Sequence, residues 1–556
     1  MAKQGTTDPD RGTHNKGRQV TPEARQAVRH LLGDDERRRD LLIEFLHRIQ
    51  DHHRQLPVAL LAALAEELGL SQTEVFEVAT FYAHFDVVGD GENVAPLTLR
   101  VCDGLPCAQQ GAAELLAALA ARLAPAVRVV AAPCMGRCDR APVVAVGQNH
   151  LTAATADGVA GAAETGATAP PVVSGTAFAA YCRDGGYALY QSCREGRRQP
   201  EDIIGEIERA GLRGLGGAGF LAAQKWRFVA AETAPRYLVI NADEGEPGTF
   251  KDRHYLETDP HRMLEGALIA SWAIGAEAIY VYLRDEYPQI HAWLKQEISA
   301  LEAGGLAEIP AIHLRRGAGA YICGEESALL ESLEGRRGLP RHKPPFPSQV
   351  GLFGRPTLIN NVETLHWVRD IVERGAAWYS EAGRHGCSGW RSFSVSGRVR
   401  EPGVKLAPAG ITLNELIAEY CGGMAEGHRL EAYLPGGASG GILPARLADL
   451  PLDFGSLKEH GAFIGSAAII VLSDQDDRRQ VACNLMRFFA HESCGQCTPC
   501  RLGCEKALAL MSDGAWNSEL LGELGSAMAE ASICGLGQAA PNVFASVLRH
   551  WPEEVS

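Results

Sequence analysis

A glycine-rich stretch near the middle of the chain has the residue types of a phosphate-binding loop. Residues 211–220 read GLRGLGGAGF. Glycine lets backbone N–H groups approach a phosphate closely, and it adopts a positive φ without strain. Gly214, Gly216 and Gly219 match the pattern G-x-G-x-x-G, but that dinucleotide fingerprint should follow a strand, whereas residues 202–210 have helical periodicity. The stretch alone therefore predicts either a phosphate-binding loop or a flexible connection.

Aromatic, basic and acidic side chains follow this loop in an order that suits a flavin or a dinucleotide. Aromatic rings can stack on a planar ring system, a lysine can contact a phosphate, and carboxylates can hold ribose hydroxyls. The apolar run 237–240 predicts a buried strand that leads into the acidic residues. An acidic group alone would indicate a solvated turn, but its combination with the loop favours a cofactor site. The side chains are Phe220, Lys225, Trp226, Phe228, Asn241, Asp243, Glu244 and Glu246.

A second group of candidate residues lies between positions 321 and 364. The segment AYICGEESALL predicts a strand that ends near Ile322, followed by a helix whose first turn holds carboxylates, as the helix dipole favours. The segment RRGLPRHKPPFPSQ is too rich in proline to be helical. Taken singly, each residue suits capping or turn chemistry as well as it suits ligand contact. The residues are Tyr321, Gly324, Glu325, Glu326, Lys343, Phe346, Asn360, Asn361 and Thr364.

The composition is that of a large acidic protein from a reducing compartment. A length of 556 residues predicts roughly three to five domains, and 46% apolar residues allow large cores. The formal net charge of −15 argues against nucleic acid or an anionic membrane as the main partner. Because no apolar run reaches membrane-spanning length and the start has no apolar signal segment, we expect a cytoplasmic protein. Clusters among its 15 cysteines should then be metal ligands, since the cytosol keeps thiols reduced.

Four cysteines between residues 96 and 165 form a first cluster. Alternating strand and helix patterns place Cys102 and Cys107 in one loop, and Cys134 and Cys138 in another. Four thiolates without a histidine suit zinc or a [2Fe–2S] cluster. Zinc-binding pairs most often have the spacing C-x2-C, so the looser spacings C-x4-C and C-x3-C favour iron and sulfide.

The helical C-terminal region contains a second cluster in the segment ESCGQCTPCRLGC. Cys494, Cys497 and Cys500 have the spacing C-x2-C-x2-C, which is a strong signal for an iron–sulfur cluster. Cys504 completes the bacterial ferredoxin spacing, but a glutamate follows it where that pattern has proline. Cys534, in the segment SICGLGQ, is the alternative fourth ligand.

Five segments together resemble the NADH-binding flavoprotein of respiratory complex I and its relatives, the diaphorase subunits of NAD-reducing hydrogenases and of NAD-dependent formate dehydrogenases. They read GLRGLGGAGF, NADEGEPGTFKDR, YICGEESALLESLEGRRG, PRHKPPFP and NNVET, and the resemblance covers residues 200–556. The N-terminal 165 residues are similar to the thioredoxin-like [2Fe–2S] subunit of complex I, here joined into the same chain. Residues 219–223 read GFLAA where many relatives read GFPTG, which leaves the fine geometry of the loop open.

The resemblance implies FMN, NAD(H), one [2Fe–2S] cluster and one [4Fe–4S] cluster as cofactors. It implies no acid or base among the side chains, assigns Glu246 to positioning the nicotinamide, and favours Cys534 over Cys504 as a cluster ligand. The implied FMN contacts are Gly214, Gly216, Gly217, Gly219, Lys225, Asn241, Asp243, Glu244, Gly324, Glu325, Asn360, Asn361 and Thr364. The implied nicotinamide-nucleotide contacts are Phe220, Phe228, Glu246, Tyr321, Glu326, Lys343 and Phe346. The implied metal ligands are Cys102, Cys107, Cys134 and Cys138 for [2Fe–2S], and Cys494, Cys497, Cys500 and Cys534 for [4Fe–4S].

The predicted fold is a multidomain α/β chain. Its parts are a disordered tail (1–20), a helical bundle (21–90), a thioredoxin-like [2Fe–2S] domain (91–165), a linker (166–175), a Rossmann-like FMN/NAD-binding domain (176–388), a β-grasp, or ubiquitin-like, domain (389–474) and a helical [4Fe–4S] domain (475–556).

These cofactors together form a converter between two-electron and one-electron carriers. NAD(H) exchanges a hydride, iron–sulfur clusters carry single electrons, and a flavin does both. Nothing in the chain resembles a molybdopterin, tungsten or nickel site, so the remaining chemistry must lie on a partner chain.

Three segments indicate which partner to expect. SICGLGQAAPN, SVSGRVREPGVKLAPAG and YLPGGASGGILP look most like the beta subunit of NAD-dependent molybdenum- or tungsten-containing formate dehydrogenases. That resemblance implies an alpha subunit that oxidises formate at a metal–pterin centre and passes electrons through iron–sulfur clusters to this chain, which reduces NAD+. The alternatives of the same class are a fused NADH dehydrogenase subunit of complex I and the diaphorase subunit of an NAD-reducing hydrogenase. A scaffold with structural clusters and no flavin is the alternative of another class.

Overall fold

The chain divides into two compact units. A computed structural model describes residues 17–92, 94–306, 308–512 and 514–555. The first unit comprises the residues up to Val94 together with Gly335–Arg337, and the second comprises the rest. No helix in the described ranges combines the length and the apolar character needed to cross a bilayer. Of the predicted disordered tail only residues 17–20 fall in the described part, where the Arg18 backbone N–H donates to the Gln72 side chain.

The first unit is built from four helices, as the sequence predicts for this region. Ser71 and Glu74 form the predicted capping box, in which each side chain bonds the backbone N–H of the other residue. Gly69 ends the preceding helix in the left-handed conformation, with φ 63°. The elements are α1 (Pro22–Leu32), α2 (Leu42–His53), β1 (Leu56–Pro57), α3 (Val58–Leu68), α4 (Gln72–Phe81) and β2 (Val87–Val88).

The second unit begins with a four-stranded sheet that carries the first cysteine cluster. Its strand order is β4-β3-β5-β6, with β3 parallel to β4 and antiparallel to β5. The prediction that Cys102 and Cys107 lie in a loop is wrong, because Cys102 ends β3 and Cys107 lies in the short helix α5. The elements are β3 (Thr98–Cys102), α5 (Leu105–Ala108), α6 (Ala112–Leu123), β4 (Arg128–Ala132), β5 (Val143–Val146), β6 (Asn149–Thr152) and α7 (Ala156–Glu164).

A parallel sheet with the order β10-β7-β8-β9 forms the centre of the chain. The predicted buried strand 237–240 lies within β7. The prediction of a strand ending near Ile322 is wrong: β9 ends at Arg316, and a 3-10 turn follows at Tyr321–Gly324 because Gly319 turns the chain with φ 75°. The strands are β7 (Arg236–Ala242), β8 (Ala276–Leu283), β9 (Ala311–Arg316) and β10 (Thr357–Asn361).

Ten helices of the described chain accompany this sheet, and α11, α13 and α14 pack directly against its strands. Their apolar faces and those of the strands form one continuous core. The helices are α8 (Phe178–Arg183), α9 (Ala188–Arg194), α10 (Pro200–Arg209), α11 (Ala222–Ala230), α12 (Lys251–Thr258), α13 (Pro260–Ile274), α14 (Pro288–Ala303), α15 (Glu326–Leu333), α16 (Val362–Arg374) and α17 (Ala376–Ser380).

A mixed sheet with the order β12-β11-β15-β13-β14 and a C-terminal group of helices complete the chain. Thr412 and Glu415 form the predicted capping box at the start of the helix in this domain. The elements are β11 (Trp390–Gly397), β12 (Gly403–Pro408), α18 (Leu413–Tyr420), β13 (Leu430–Leu434), β14 (Leu443–Pro444), β15 (Ala468–Ser473), α19 (Arg478–Glu492), α20 (Thr498–Ser512), α21 (Ser518–Ala531), α22 (Gly535–Ala539), α23 (Asn542–His550) and α24 (Pro552–Val555).

Candidate functional site

The two groups of predicted cofactor residues meet at the carboxyl edge of the parallel sheet. Asn241 in β7 lies beside Asn361 in β10 in the strand register. The Asn241 side chain donates from Nδ2 to the carbonyl oxygen of Gly324 at 2.8 Å, which ties the turn before α15 to the same edge. Ligands of open α/β sheets bind outside the carboxyl ends of the strands. Segments that are far apart in the sequence therefore form one site.

The glycine-rich loop connects α10 to α11, so its context is helix–loop–helix, as the sequence indicates. The Gly214 N–H donates to the Phe220 carbonyl at 2.7 Å, and the Leu215 N–H donates to Thr364 Oγ1 at 2.9 Å. Among the described residues, no hydrogen bond uses the N–H groups of 216–218. Three adjacent unused N–H groups can bind an anion such as a phosphate.

Two adjoining cavities lie beside this loop. Their volumes are about 330 Å³ and about 580 Å³, and both are lined by Gly216, Asn241 and Gly324. Cofactor sites typically measure roughly 300–1,000 Å³, so the space suits a flavin nucleotide together with a dinucleotide. Asp243 Oδ2 at the smaller cavity is buried without a hydrogen-bond partner, as expected of an acceptor for a ligand hydroxyl. The residues present therefore fit FMN and NAD(H).

Two lysines and two glutamates form a charged cluster at the wall of the larger cavity. Lys225 Nζ lies 3.0 Å from Glu326 Oε2, and Lys343 Nζ lies 2.7 Å from Glu326 Oε1 and 2.9 Å from Glu325 Oε1. Burial alone would raise the pKa of Glu326, but the two ammonium groups lower that pKa to about 2. Glu325 also caps α15 by accepting from the N–H groups of Ser327 and Ala328. The cluster is thus an ionised network that can offer lysines to phosphate groups.

Aromatic rings line the larger cavity from the side of α11 and the proline-rich segment. Phe220, Phe228 and Phe346 are 48%, 55% and 52% exposed, and the first two rings are 6.3 Å apart. Exposed phenylalanines at a cavity wall favour stacking with a bound ring. Trp226 differs, since it is fully buried and donates from Nε1 to Asn360 Oδ1 at 2.9 Å. Trp226 is therefore a core residue that holds Asn360 in place.

Glu246 lies where the parallel sheet meets the mixed sheet. Its carboxylate accepts from the Tyr321 hydroxyl, from the Ser439 N–H at 2.7 Å and from Ser439 Oγ at 3.2 Å. Burial raises the pKa of Glu246, and these donors oppose that shift. The interpretation of the segment GGASGG (436–441) as turns alone is wrong, because Gly436 and Ser439 form part of the cavity wall.

The Glu244 carboxylate is fully engaged by the protein, although this residue lines the smaller cavity. It accepts from the N–H groups of Asp252 at 2.8 Å and Arg253 at 3.0 Å, and from the Tyr287 hydroxyl at 2.9 Å. Burial raises the pKa of Glu244 to about 7. Its side chain therefore holds the start of α12 against the end of β7.

Sequence reasoning missed a buried ion cluster below the smaller cavity. Lys251 is 1% exposed, and its Nζ lies 2.8 Å from Asp252 Oδ1 and 3.0 Å from Glu363 Oε2. Burial would lower the pKa of Lys251, but the surrounding carboxylates raise it. Lys251 and Asp252 both line the cavity. Their only sequence signal is the charged triplet at the end of the segment NADEGEPGTFKDR.

The four cysteines of the first cluster converge in the structure. Cys102, Cys107, Cys134 and Cys138 are all buried with free thiols. Cys134 Sγ lies 3.3 Å from Cys138 Sγ, and the Cys102 thiol bonds to those of Cys107 and Cys134. Four converging buried thiols without a disulfide fit the ligand set of a [2Fe–2S] cluster.

The cysteine loop after β4 packs against the flavin-site domain. Arg284 donates from Nη2 to the Cys134 carbonyl at 2.6 Å, and Arg253 donates from Nη1 to the Gly136 carbonyl at 2.9 Å. A Cβ atom at Gly136 would approach Tyr287 Oη to 2.1 Å, so only glycine fits there. The first cluster is thereby attached to the residues that hold Glu244.

Four cysteines of the second cluster line one small cavity between α19, α20 and α22. They are Cys494, Cys497, Cys500 and Cys534. Cys504 is not part of this lining; it is fully buried one helical turn away, with its Sγ 4.0 Å from Cys500 Sγ. The arrangement fits a [4Fe–4S] cluster and agrees with Cys534 as the fourth ligand.

Four protein families match successive parts of the chain. Residues 28–165 match the thioredoxin-like [2Fe–2S] ferredoxin, and residues 207–370 match the Nuo51 FMN-binding domain. Residues 392–443 match the SLBB domain, and residues 480–556 match the NADH-ubiquinone oxidoreductase-F iron–sulfur binding region. These matches confirm the multidomain α/β fold and the four cofactors.

Curated relatives cover the flavin, SLBB and C-terminal parts. The second F-type component of the NADH-quinone oxidoreductase of Rhizobium meliloti (strain 1021) is 42% identical over 398 residues, which are 69% of this chain and 94% of that protein. The corresponding F component of Aquifex aeolicus (strain VF5) is 40% identical over 390 residues, 67% of this chain and 89% of that protein.

A solved structure resembles nearly the whole chain. It is an NAD+-reducing [NiFe]-hydrogenase in the H2-reduced state, with a TM-score of 0.82 and 32% identity over 94% of this chain and 93% of that one. Its air-oxidised state gives a TM-score of 0.81 at the same identity. The chain belongs to the NADH-quinone oxidoreductase F family, as an FMN- and NAD(H)-binding oxidoreductase that also carries a [2Fe–2S] and a [4Fe–4S] cluster.

Proposed function

We propose that this chain is the NAD(H)-reacting subunit of a multisubunit complex and passes electrons between NAD(H) and a metal-containing partner through its [4Fe–4S] cluster. One observation carries the proposal: Ile322 and Leu536 line both the smaller flavin-site cavity and the cavity of the second cysteine cluster. One layer of side chains therefore separates the two sites. Such closeness suits electron transfer and has no purpose in a scaffold with structural clusters.

The chain's own residues supply binding and orientation for the reaction. Bound FMN supplies hydride exchange with NAD(H) and single-electron exchange with the clusters. The unused N–H groups of 216–218 hold its phosphate, and Asp243 accepts from its hydroxyls. Lys225 and Lys343 attract the phosphates of NAD(H). The other FMN and nicotinamide contacts implied by the family resemblance are part of the same proposal.

The rings and carboxylate at the cavity mouth orient the nicotinamide nucleotide. Phe220, Phe228 and Phe346 offer faces for stacking, and Tyr321 and Ser439 fix the carboxylate of Glu246 at the junction of two domains. Hydride transfer between the two cofactors needs no protein acid or base, so the contribution of these residues is position. No proton has to be held by Glu246 during the transfer.

The partner that fits best is a protein of the kind found in an NAD+-reducing [NiFe]-hydrogenase. The support is architectural: that structure matches 94% of this chain, including the N-terminal ferredoxin part, whereas the Rhizobium and Aquifex relatives match 67–69%. A fused ferredoxin and flavoprotein is thus shared with the hydrogenase chain over almost its full length. The comparisons favour this alternative over the formate dehydrogenase partner expected from the sequence.

A formate-oxidising partner is the second candidate. Its support is the resemblance of the segments SICGLGQAAPN, SVSGRVREPGVKLAPAG and YLPGGASGGILP to the beta subunit of metal–pterin formate dehydrogenases. In that arrangement a molybdenum- or tungsten-containing alpha subunit would deliver electrons to the [4Fe–4S] cluster. The chemistry within this chain would be the same with either partner.

Isolation of the native complex tests both levels of the proposal. We expect flavin, iron and NADH-dependent dye reduction in the preparation, with nickel and hydrogen-dependent NAD+ reduction for the first partner. Molybdenum or tungsten with formate-dependent NAD+ reduction would replace the first partner by the second. Quinone-dependent NADH oxidation by a membrane assembly would indicate the complex I alternative instead. A preparation without flavin and without NADH oxidation would overturn the proposed function as a whole.

A further inference from the structure

Two side chains that can donate hydrogen bonds flank Cys500, the most buried of the four proposed [4Fe–4S] ligands. Cys500 is 4% exposed, whereas the other three cysteines are partly exposed. Ser493 Oγ lies 3.3 Å from Cys500 Sγ, and Cys504 Sγ lies 4.0 Å from the same atom. Ser493 directly follows α19, and Cys504 follows Cys500 by one turn of α20.

A third hydroxyl group beside Cys500 is buried without a hydrogen-bond partner. Ser532 is 6% exposed, and its Oγ has no partner among the described residues. A Cβ atom at Gly537 would approach Ser532 Oγ to 2.5 Å and Cys500 Cβ to 2.8 Å, so the hydroxyl and the cysteine lie side by side. Buried hydroxyls are normally bonded, so an orphaned one next to a cluster site indicates an acceptor that arrives with the cluster.

The direction of these hydrogen bonds follows from ligation. An iron-bound cysteine is a thiolate and can only accept, so Ser493 must donate O–H and Cys504 must donate S–H. Reduction adds an electron to the cluster and makes its sulfur atoms stronger acceptors. Donors at the sulfur therefore stabilise the reduced cluster and raise its reduction potential, a known means of tuning iron–sulfur sites.

We propose that Ser493 and Cys504, together with the buried hydroxyl of Ser532, are positioning residues that raise the reduction potential of the [4Fe–4S] cluster by donating hydrogen bonds at Cys500. The proposal rests on the proposed function, because it assumes the cluster and its ligand set. It gives Cys504 a role that the ligand set leaves unassigned. It also makes the cluster a better acceptor for electrons that leave the flavin.

The test is a redox titration of the intact chain, loaded with flavin and clusters and monitored by EPR of the reduced [4Fe–4S] cluster. The variants are Ser493→Ala, Cys504→Ala, Ser532→Ala and the double variant Ser493→Ala/Cys504→Ala. Ser526→Ala is the matched control, since Ser526 is a residue of α21 whose hydroxyl donates to Gly522 at an exposed position. We expect each alanine variant at the cluster to lower the midpoint potential and the double variant to lower it further, while the control keeps the parent value.

Conservative replacements separate hydrogen bonding from packing. Ser493→Thr and Cys504→Ser keep a donor, so we expect both to restore much of the lost potential. If one alanine variant fails to load the cluster, the other two decide the question at full iron content. Unchanged midpoint potentials in fully loaded alanine variants would overturn the proposal.

The ligand set is checked in the same experiment, so that its failure is distinguishable. Cys504→Ala should retain the iron content and the EPR signal, and Cys534→Ala should lose the [4Fe–4S] signal. The opposite pattern would make Cys504 a ligand and remove it as a donor. A parent protein without flavin or NADH-dependent dye reduction would instead refute the proposed function, independently of any cluster potential.

Discussion

Glu246 shows how one carboxylate can respond to two domains. It follows β7 closely in the parallel-sheet domain, and its donors are the Tyr321 hydroxyl and the Ser439 backbone and side chain of the SLBB part. Burial raises its pKa, so Glu246 becomes neutral at a higher pH than an ordinary carboxylate. A negative charge at this place repels the anionic nucleotide, which limits how tightly NADH is held.

Replacement of Glu246 by glutamine should therefore tighten NADH binding and remove its pH dependence. In the parent protein the dissociation constant of NADH should increase as the pH rises through the elevated pKa of Glu246. Glu246→Gln imitates the protonated form, so its constant should stay low at every pH. At neutral pH we expect a difference of roughly tenfold, equivalent to about 1.4 kcal/mol. Titration of NADH binding across this pH range measures both curves.

Glu505→Gln serves as the control, because Glu505 is an exposed carboxylate on α20 outside the cavities. Its curve should match that of the parent. Parallel pH curves for Glu246→Gln and the parent would show that the charge of Glu246 does not act on NADH.

The side chains predicted from the sequence are those whose signal is local. Cys494, Cys497 and Cys500 are recognisable because three ligands recur at short spacing within one segment. Lys251 and Ser439 were missed because their partners are remote in sequence: Lys251 pairs with Glu363, and Ser439 bonds Glu246 across 193 positions. A single sequence carries no record of which distant residues will meet.

At the scale of elements, the glycine-rich loop depends on contacts with two other domain parts. Gly216 packs against Asn361, since a Cβ at this position would come within 3.1 Å of the Asn361 Cβ. Gly219 has φ 68°, and its Cβ would approach the Phe454 ring to 2.7 Å. The loop is therefore a fixed structure and not a flexible connection.

Gly219→Ala should lower the FMN content of the purified protein. The positive φ costs an alanine about 1–2 kcal/mol, and the clash with Phe454 displaces the loop from the mixed sheet. Gly205→Ala in α10 is the control, because its added Cβ meets only the flexible end of Arg209 at 3.4 Å. Flavin released by acid and measured per chain gives the result. Equal flavin content in the two variants would mean that the loop does not need this geometry to bind FMN.

The packing of α22 against α20 provides a second prediction at this scale. Gly537→Ala would place a Cβ within 2.8 Å of the Cys500 Cβ, so α22 would have to move away and carry Cys534 with it. We expect loss of the [4Fe–4S] EPR signal and of about half or more of the cluster iron. Gly522→Ala in α21 has open space around the new Cβ and should keep both. A fully loaded Gly537→Ala protein would contradict the close packing of these helices.

Elements with strong periodicity could be predicted, and elements that end in tertiary contacts could not. The helices around the capping boxes at Ser71 and Thr412 have complete local signals. The strand expected near Ile322 has an apolar pattern, but Gly317 and Gly319 end β9 at Arg316 and the same apolar residues pack in a turn. Burial produces similar residue patterns in a strand and in a buried turn, so the pattern alone cannot separate them.

At the scale of the whole molecule, the two clusters relate differently to the flavin site. The [4Fe–4S] cavity shares the wall residues Ile322 and Leu536 with the smaller flavin-site cavity. The [2Fe–2S] loop contacts the same domain through Arg253 and Arg284 behind Glu244. The fused order of these parts follows from sequence motifs, whereas this difference depends on how the domains pack, which no single motif records.

Selective removal of each cluster should separate these relationships. Cys138→Ser removes a [2Fe–2S] ligand, and we expect it to keep most of the partner-dependent NAD+ reduction, because electrons from the partner reach the flavin site through the nearer cluster. Cys497→Ser removes a [4Fe–4S] ligand and should abolish that reaction. Both variants should keep NADH-dependent dye reduction, since a soluble dye can take electrons from the flavin without either cluster.

The measurement combines EPR, which confirms that each variant lacks only the intended cluster, with NAD+ reduction by the intact complex. Flavin content must equal that of the parent, so that a loss of rate cannot come from a damaged flavin site. Loss of partner-dependent NAD+ reduction in Cys138→Ser at full [4Fe–4S] content would place the [2Fe–2S] cluster on the main electron path. In that case the clamp of Arg253 and Arg284 on the cysteine loop would be a conducting junction, and not only the means by which the ferredoxin part is attached.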